Sequence, residues 1–437
     1  MTRILRIELR RSGVAWMGVL LLVAGTWLLY AAPYRWTSGY MILAMDQRWY
    51  LSFLTGLAVA AGAWQGRREH RSGVLELFAG VPRPRAQQVA PILTVYGITA
   101  FVTYAGAWGL AAVSIVDTAE YLRAGAVAGV LVAGALAMVT AAWFGLAAGR
   151  LLPYLATAPL LAVATFATPL VAKGITGNRE WLSALLFPSS TLGGPDDFAT
   201  VPGRFSVAQV LYLTGLAASV ALLFAVARKR ALLPALLGII AAVLVLQGGS
   251  AFVKEPIDAA ARELVCTADT PKVCVARVHS GVLDEVTPPA RAALAKLARL
   301  PDAPTSAEEN IIPQLDIANY PDSMPIPMSI GDDGHVYEAG NLEHIMVSNV
   351  GVLPFVCPDE SPGTDPVVVN AATAWLLGVD PAQLDLATED VAPARKVWLQ
   401  LRKLDEREAA ARVSAVRRAV LSCSSGDDLL ARPAALR

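Results

Sequence analysis

Charge is what this chain has least of. Only 16% of its 437 residues are Asp, Glu, Lys or Arg, against about 25% in an average soluble domain. Hydrophobic residues make up 55%, and the mean hydropathy is +0.49. Together these exclude an ordinary water-soluble globule and point to a membrane protein. Phosphate-binding glycine motifs are missing as well. No G-x-x-x-x-G-K-[ST] occurs, and no glycine fingerprint follows a strand pattern, so the chain lacks the usual apparatus for hydrolysing ATP. Histidine is scarce, with 4 in the chain, and no H-E-x-x-H occurs. Glu343 and His344 with His335 and His279 follow no zinc spacing, so no metal site is expected. Asp332-Asp333-Gly334 opens like a calcium loop, but the later ligands do not follow. The apolar runs carry almost no ionisable groups at their centres. Ion-coupled carriers place such groups there, so any transport must be powered from outside these runs.

Cysteine is absent from the first 265 residues. The 4 cysteines are Cys266, Cys274, Cys357 and Cys423. Their spacing is too wide for C-x-x-C redox chemistry, so structural disulfides in an oxidising compartment are expected. Four cysteines allow three pairings. We favour Cys266–Cys274 as a local clip and Cys357–Cys423 as a tie between the terminal helix and a strand region.

The zero net charge hides a split. Residues 1–253 carry 19 basic and 9 acidic residues, a net of +10, and residues 254–437 carry 17 and 27, a net of −10. The first part reads as a basic-flanked membrane domain and the second as an acidic water-soluble one. Residues 1–12 form an amphipathic interfacial helix, with Arg3, Arg6, Arg10 and Arg11 opposite Ile4, Leu5 and Ile7. The apolar run 13–32 is long enough to span and has no small-residue cleavage site after it, so it reads as an uncleaved first span. Further spans are expected at about 49–64, with Asp46 and Arg48 wet at its outer end, then 91–116, 124–148, 152–172 and 207–227. A seventh follows within 231–253. Gly129, Gly134, Ala135 and Ala137 make the fourth rich in small residues, which let helices approach closely in lipid. The longer segment 173–205 contains Trp181–Phe187, apolar but too short to cross, and reads as re-entrant or interfacial. With the amino terminus inside, 13 of the 19 basic residues of 1–253 fall in inner segments, as short cytoplasmic loops require. An odd number of spans then puts residues 254–437 outside, where the cysteines would pair.

The outer part reads as an α+β domain. Helices are expected at 259–265, 288–300, 368–377 and in two stretches within 393–421. The segment 301–330 is proline-rich and reads as irregular, and 335–338 and 344–350 read as short strands around glycine turns.

The most distinctive stretch lies between the second and third spans. Residues 64–90 read W-Q-G-R-R-E-H-R-S-G-V-L-E-L-F-A-G-V-P-R-P-R-A-Q-Q-V-A. Val74–Phe78 makes about two helical turns, which Pro82 and Pro84 stop. A topology signal alone would need only the arginines. The order R-R-E-H-R-S-G-V-L-E-L-F-A-G-V-P-R-P-R resembles the coupling loop of permease subunits of type-2 ATP-binding-cassette exporters. That family also carries an amphipathic helix before its first span and a re-entrant outer hairpin between the fifth and sixth. The resemblance covers about residues 1–230. It implies a six-span permease domain at 13–230, with a coupling loop at 66–90 and a re-entrant segment at 173–205. Glu69, Gly73, Glu76, Leu77, Pro82 and Arg85 would then face a separate ATPase subunit. It further implies that the chain is not itself an enzyme, needs no cofactor, and pairs with a second copy or a related chain. An unidentified apolar or amphipathic cargo would cross the plasma membrane, and no nucleic acid is involved. The seventh span at 231–253 and the outer domain at 254–437 depart from the family core, in a way similar to permease-like proteins of high-GC Gram-positive bacteria. The alternative reading is a membrane-anchored sensor or interaction protein whose outer domain binds a ligand or partner without transport.

Overall fold

The structure, a computed structural model, describes residues 13–71, 85–168, 171, 174, 176, 180–189, 196–226, 229–247, 256–311, 322–352 and 363–425. The chain divides into two units, Met1–Ala259 and Ala260–Arg437. The expected amphipathic helix over residues 1–12 lies outside the described residues.

The first unit is helical. Its elements are α1 (Val14–Tyr30), α2 (Tyr40–Trp49), α3 (Leu51–Gly66), α4 (Arg85–Ser114), α5 (Ala124–Leu151), α6 (Thr157–Phe166), α7 (Glu180–Leu186), α8 (Gly203–Val226) and α9 (Leu233–Gln247), with a single helical turn at Arg68–Arg71. Four described segments are long and apolar enough to cross a membrane: Ala86–Ser114, Ala124–Leu151, Gly203–Ala225 and Arg230–Gln247. Their outward faces expose Ile98, Phe101, Leu110, Val132, Leu236, Leu237 and Leu244. A continuous apolar surface of this kind is tolerated in lipid and not in water. The unit therefore has four helices of the length and composition that cross a membrane.

Three of the expected spans differ. The first run makes α1, 17 residues, about 25 Å long at 1.5 Å per residue. The second is two helices, α2 and α3, meeting at Tyr50. The helical run therefore starts at Tyr40, nine residues before the expected boundary. The fifth has a 10-residue helix at Thr157–Phe166, with Thr168 and Val171 also helical among the described residues.

Successive passes along the chain alternate in direction. Gly18 of α1 lies against Thr99 and Thr103 of α4, and Gly25 against Ala107, so α1 and α4 run together. Val59 and Ala63 of α3 meet Gly145 and Gly149 of α5, so α3 and α5 run together the other way. One end of the unit therefore gathers Arg67, Arg68, Arg85, Arg150 and Arg230, and we call it the basic end. Arg150 is fixed there by a 3.0 Å hydrogen bond from its Nη1 to the Phe224 carbonyl oxygen, over the Phe224 ring. The far end gathers loop 117–123, residues 196–200 and residues 256–258. Ala199 bridges Ile257 there, Thr200 N donates to the Pro256 carbonyl, and Tyr121 and Arg123 both donate to the Asp258 carboxylate at 3.0 and 2.9 Å. The last residues of the helical unit are thus fixed at the end opposite the basic loop.

The second unit carries a four-stranded sheet, β1 (Leu264–Cys266), β2 (Val273–Ala276), β3 (Ser306–Glu309) and β4 (Ser323–Ile326), in the order β1-β2-β3-β4. β1 and β2 are antiparallel, and β2, β3 and β4 are parallel. Helices α10 (Leu283–Leu297), α11 (Leu342–Gly351), α12 (Pro366–Leu377), α13 (Thr388–Leu401) and α14 (Glu406–Leu421) complete it. The core joins Val273, Val275, Ala307, Met324 and Ile326 of the sheet to Val286, Ala290, Leu294 and Leu297 of α10, with Trp375 and Trp398 from α12 and α13.

This is α+β, but several expected elements are corrected. Residues 259–265 are a turn leading into β1, not a helix. The proline-rich 301–330 contains β3 and β4. Residues 344–347 are helical in α11, Ser348, Asn349 and Val350 form a kink with the last two left-handed, and none of them is in a strand; 335–338 contribute only one bridge, Ile330 to Val336. α10 begins five residues before Pro288, with Asp284 and Glu285 in its first turn at the positive end of the helix dipole. It keeps Pro288 and Pro289 inside and gives up their amide donors.

The expected Cys266–Cys274 disulfide is present, across directly opposed residues of β1 and β2. Cys423 is also disulfide-bonded. Cys357 lies outside the described residues. Closing the eight-residue separation of Cys266 and Cys274 is worth about 2.5 kcal/mol by loop entropy. Changing both to serine should lower the melting temperature of this unit by roughly 5–10 °C. A calorimetric scan of the full chain checks this.

Candidate functional site

The residues expected to meet an ATPase are largely out of view. Glu69 falls in the helical turn Arg68–Arg71 and Arg85 opens α4, both at the basic end. Gly73, Glu76, Leu77 and Pro82 lie outside the described residues. What the geometry establishes is where their loop starts and stops. It leaves from the end of α3 and returns at the start of α4. Trp64 and Arg67 mark the departure, with the Arg67 guanidinium 5.2 Å from the Trp64 ring centroid, a cation–π contact.

The expected re-entrant segment is α7, Glu180–Leu186. Ala184 and Leu185 are buried, and Gln209 Nε2 of α8 donates to the Ala184 carbonyl at 2.7 Å. α7 is held against the helix that follows it, and Trp181, Ala184 and Leu185 join an apolar cluster with Met45, Val130 and Phe205.

The histidines do not come together. His279 and Glu309 are both buried, 4% exposed, with Nδ1 and Oε1 2.7 Å apart, and Glu309 Oε2 accepts the Ala276 amide at 2.6 Å. His335 pairs with Glu285 at 3.2 Å, and Glu343 with Lys296 at 2.8 Å. Asp333 caps the amide of His335 within its own turn. Among the described residues no three His, Cys, Asp or Glu side chains are grouped to hold a metal.

A cluster that sequence reading misplaced lies inside the helical unit. Asp46 and Arg48 do not sit wet at a span end. Both are buried, as is Gln47 between them, because α2 begins at Tyr40 and carries them one to two turns into the bundle. Asp46 pairs with Arg35 at 2.7 Å. Gln47 Nε2 donates to the Tyr104 carbonyl of α4 at 2.7 Å. Arg48 Nε donates to the Pro188 carbonyl, just past α7. The Tyr104 hydroxyl fits into the notch left by Gly134 of α5. The signal available in the sequence was two charges and an amide at 46–48 inside a stretch that is apolar on both sides.

Comparison with family models, with characterised proteins and with solved structures finds no match to any of them.

Proposed function

We propose that this chain is the membrane-spanning permease subunit of an ATP-binding-cassette exporter, energised by a separate ATPase subunit. One observation carries the reading. The basic, glutamate-containing loop 66–90 departs from α3 and returns in α4 at the basic end, opposite residues 256–258. A short loop rich in arginine stays on the cytoplasmic side, which is where an ATPase partner would meet it. In this reading α1, α2 with α3, and α6 are also membrane passes, giving six in the permease core. α9 is the seventh, and residues 254–437 are extracytoplasmic. α7 is the outer re-entrant helix. ATP-driven closure of the partner is transmitted through the loop to α3 and α4, and two permease chains enclose the path.

The test is purification of the full chain from its native membrane in mild detergent. A nucleotide-binding protein in stoichiometric amount is expected with the wild type. It should be absent when residues 67–85 are scrambled and lose coupled ATPase activity when Glu76 and Arg85 are both changed to alanine. A chain that purifies alone and intact in every case sinks the permease reading and moves attention to the outer unit.

A further inference from the structure

Arg48 presents a problem in charge balance. It is 3% exposed. Among the described residues its guanidinium has one hydrogen-bond acceptor, the Pro188 carbonyl, and no carboxylate within ion-pair distance. A buried cation is ordinarily paired, because desolvation strips it of water that protein contacts must replace. Asp46 does not fill the role. It lies two residues away on the same helix, about 200° round the axis, and is occupied by Arg35.

The surroundings are polar and incompletely bonded. Gln47 Oε1, the Tyr104 hydroxyl, Trp108 Nε1, Ser206 Oγ and Gln209 Oε1 are all buried without a hydrogen-bond partner. Gln47 and Tyr104 are 1% and 2% exposed. These groups come from α2, α4 and α8, and α2 meets α4 where Gln47 Nε2 donates to the Tyr104 carbonyl. Tyr104 is ten residues from the far end of α4, and Gly134, which receives its hydroxyl, is ten residues from the start of α5. Each is about 15 Å from that end at 1.5 Å per residue. Ile42, Leu43, Ala44 and Met45, the preceding residues of α2, are packed into the apolar core, so the polar groups at 46–48 stand out against it. A fixed cation at such depth in a lipid-facing bundle marks a ligand path more often than a structural need.

We infer that Arg48, next to the Gln47–Tyr104 contact between α2 and α4, is a recognition site for the phosphate or carboxylate head of an anionic amphiphile. The guanidinium offers a bidentate face to such a head, and the apolar outward faces of the helical unit suit its tail. The inference rests on the membrane reading of the helical unit, and under the permease reading it gives the cargo its class. It does not require the ATPase partner.

The test uses the full chain alone in dodecyl maltoside, with no partner protein, so its failure is distinct from failure of the permease reading. Dodecyl phosphate is titrated and the melting temperature followed, since a ligand of the native state raises it by mass action. Saturable stabilisation is expected in the wild type. Arg48→Ala should weaken the apparent affinity at least tenfold, Tyr104→Phe about threefold, and Arg48→Lys should retain part of the response. If Arg48→Ala does not fold, the lysine and phenylalanine variants carry the comparison. Inorganic phosphate should bind at least tenfold more weakly than dodecyl phosphate. Equal affinity for the two would overturn the amphiphile assignment. An unchanged affinity in the Arg48 and Tyr104 variants, or no saturable response in the wild type, would overturn the site.

Discussion

Gly145→Val is expected to abolish the folded helical unit, and Gly62→Val to do the same from the other side. α3 and α5 approach through two G-x-x-x-G pairs, Gly62 with Gly66 and Gly145 with Gly149. A Cβ at Gly62 would run into the Ala142 carbonyl oxygen, one at Gly66 into that of Leu146, one at Gly145 into that of Val59, and one at Gly149 into that of Ala63. All four approaches fall well inside 3.0 Å, a distance that real Cβ atoms do not reach. The obstructing atoms are backbone, so no rotamer change relieves the overlap, and the helices must separate along the whole contact. In lipid there is little hydrophobic drive to hold them once their backbones part, because association depends on close packing. Overpacking of a tight interior costs about 1–3 kcal/mol even where side chains can yield, so each substitution here should cost at least about 3 kcal/mol. The internal control is Gly109 of α4, where an added Cβ meets nothing within 4 Å. Gly109→Ala should be neutral or stabilising by up to about 1 kcal/mol, since alanine is the better helix former. Monodisperse recovery and melting temperature in detergent check all three. If Gly145→Val melts like the wild type, the α3–α5 contact is not what holds this bundle.

These glycines show what the sequence concealed and what it did not. The long apolar helices α4, α5, α8 and α9 were legible because a run of apolar residues of that length has few other solutions. The break at Tyr50 was not, since nothing in its neighbours announces a turn, and so the burial of Asp46 and Arg48 was lost with it. Gly129 and Gly134 stood out as small residues, but the backbone contacts fall on Gly145 and Gly149. That spacing was readable on α5, yet its partner pair on α3 becomes meaningful only when the two helices are adjacent. In the outer unit, Asp365 before Pro366 and Gly378 after Leu377 bracket α12 as an N-cap and a left-handed C-terminal glycine. That helix was found. β3 and β4 were missed because S-A-E-E and S-M-P-I carry almost no strand propensity. They are strands because the parallel ladders of β3 with β2 and of β4 with β3, and the core beneath them, override local preference. Pro325 is tolerated because β4 is the edge. The local disulfide of Cys266 and Cys274 was legible from their short separation alone.

Glu309 is the residue in β3 whose identity the sheet depends on, and removing it should unfold the outer unit more readily than any surface change. Its carboxylate has two duties in a dry place. Oε1 holds His279 Nδ1 at 2.7 Å, and Oε2 accepts the amide of Ala276 at 2.6 Å, where β2 ends. Glu309→Ala therefore strips a buried imidazole and a buried backbone donor of their acceptor at once. Breaking one partner of a buried pair costs about 3–5 kcal/mol. Glu309→Gln keeps an acceptor for Ala276 and turns an NH2 donor toward His279 Nδ1, which the other imidazole tautomer accepts, so a smaller cost of about 1–3 kcal/mol is expected. His279→Ala should resemble Glu309→Ala, because it leaves the carboxylate buried with only the Ala276 amide. The decisive measurement is the cycle. If the two side chains serve each other, the double variant His279→Ala, Glu309→Ala should be destabilised by clearly less than the two single costs added, with a coupling of at least about 1 kcal/mol, as for residues sharing one network. Simple additivity in denaturant titrations of the outer unit's transition would mean that each side chain is held by its own surroundings, and that the pair is not what joins β3 to the segment after β2.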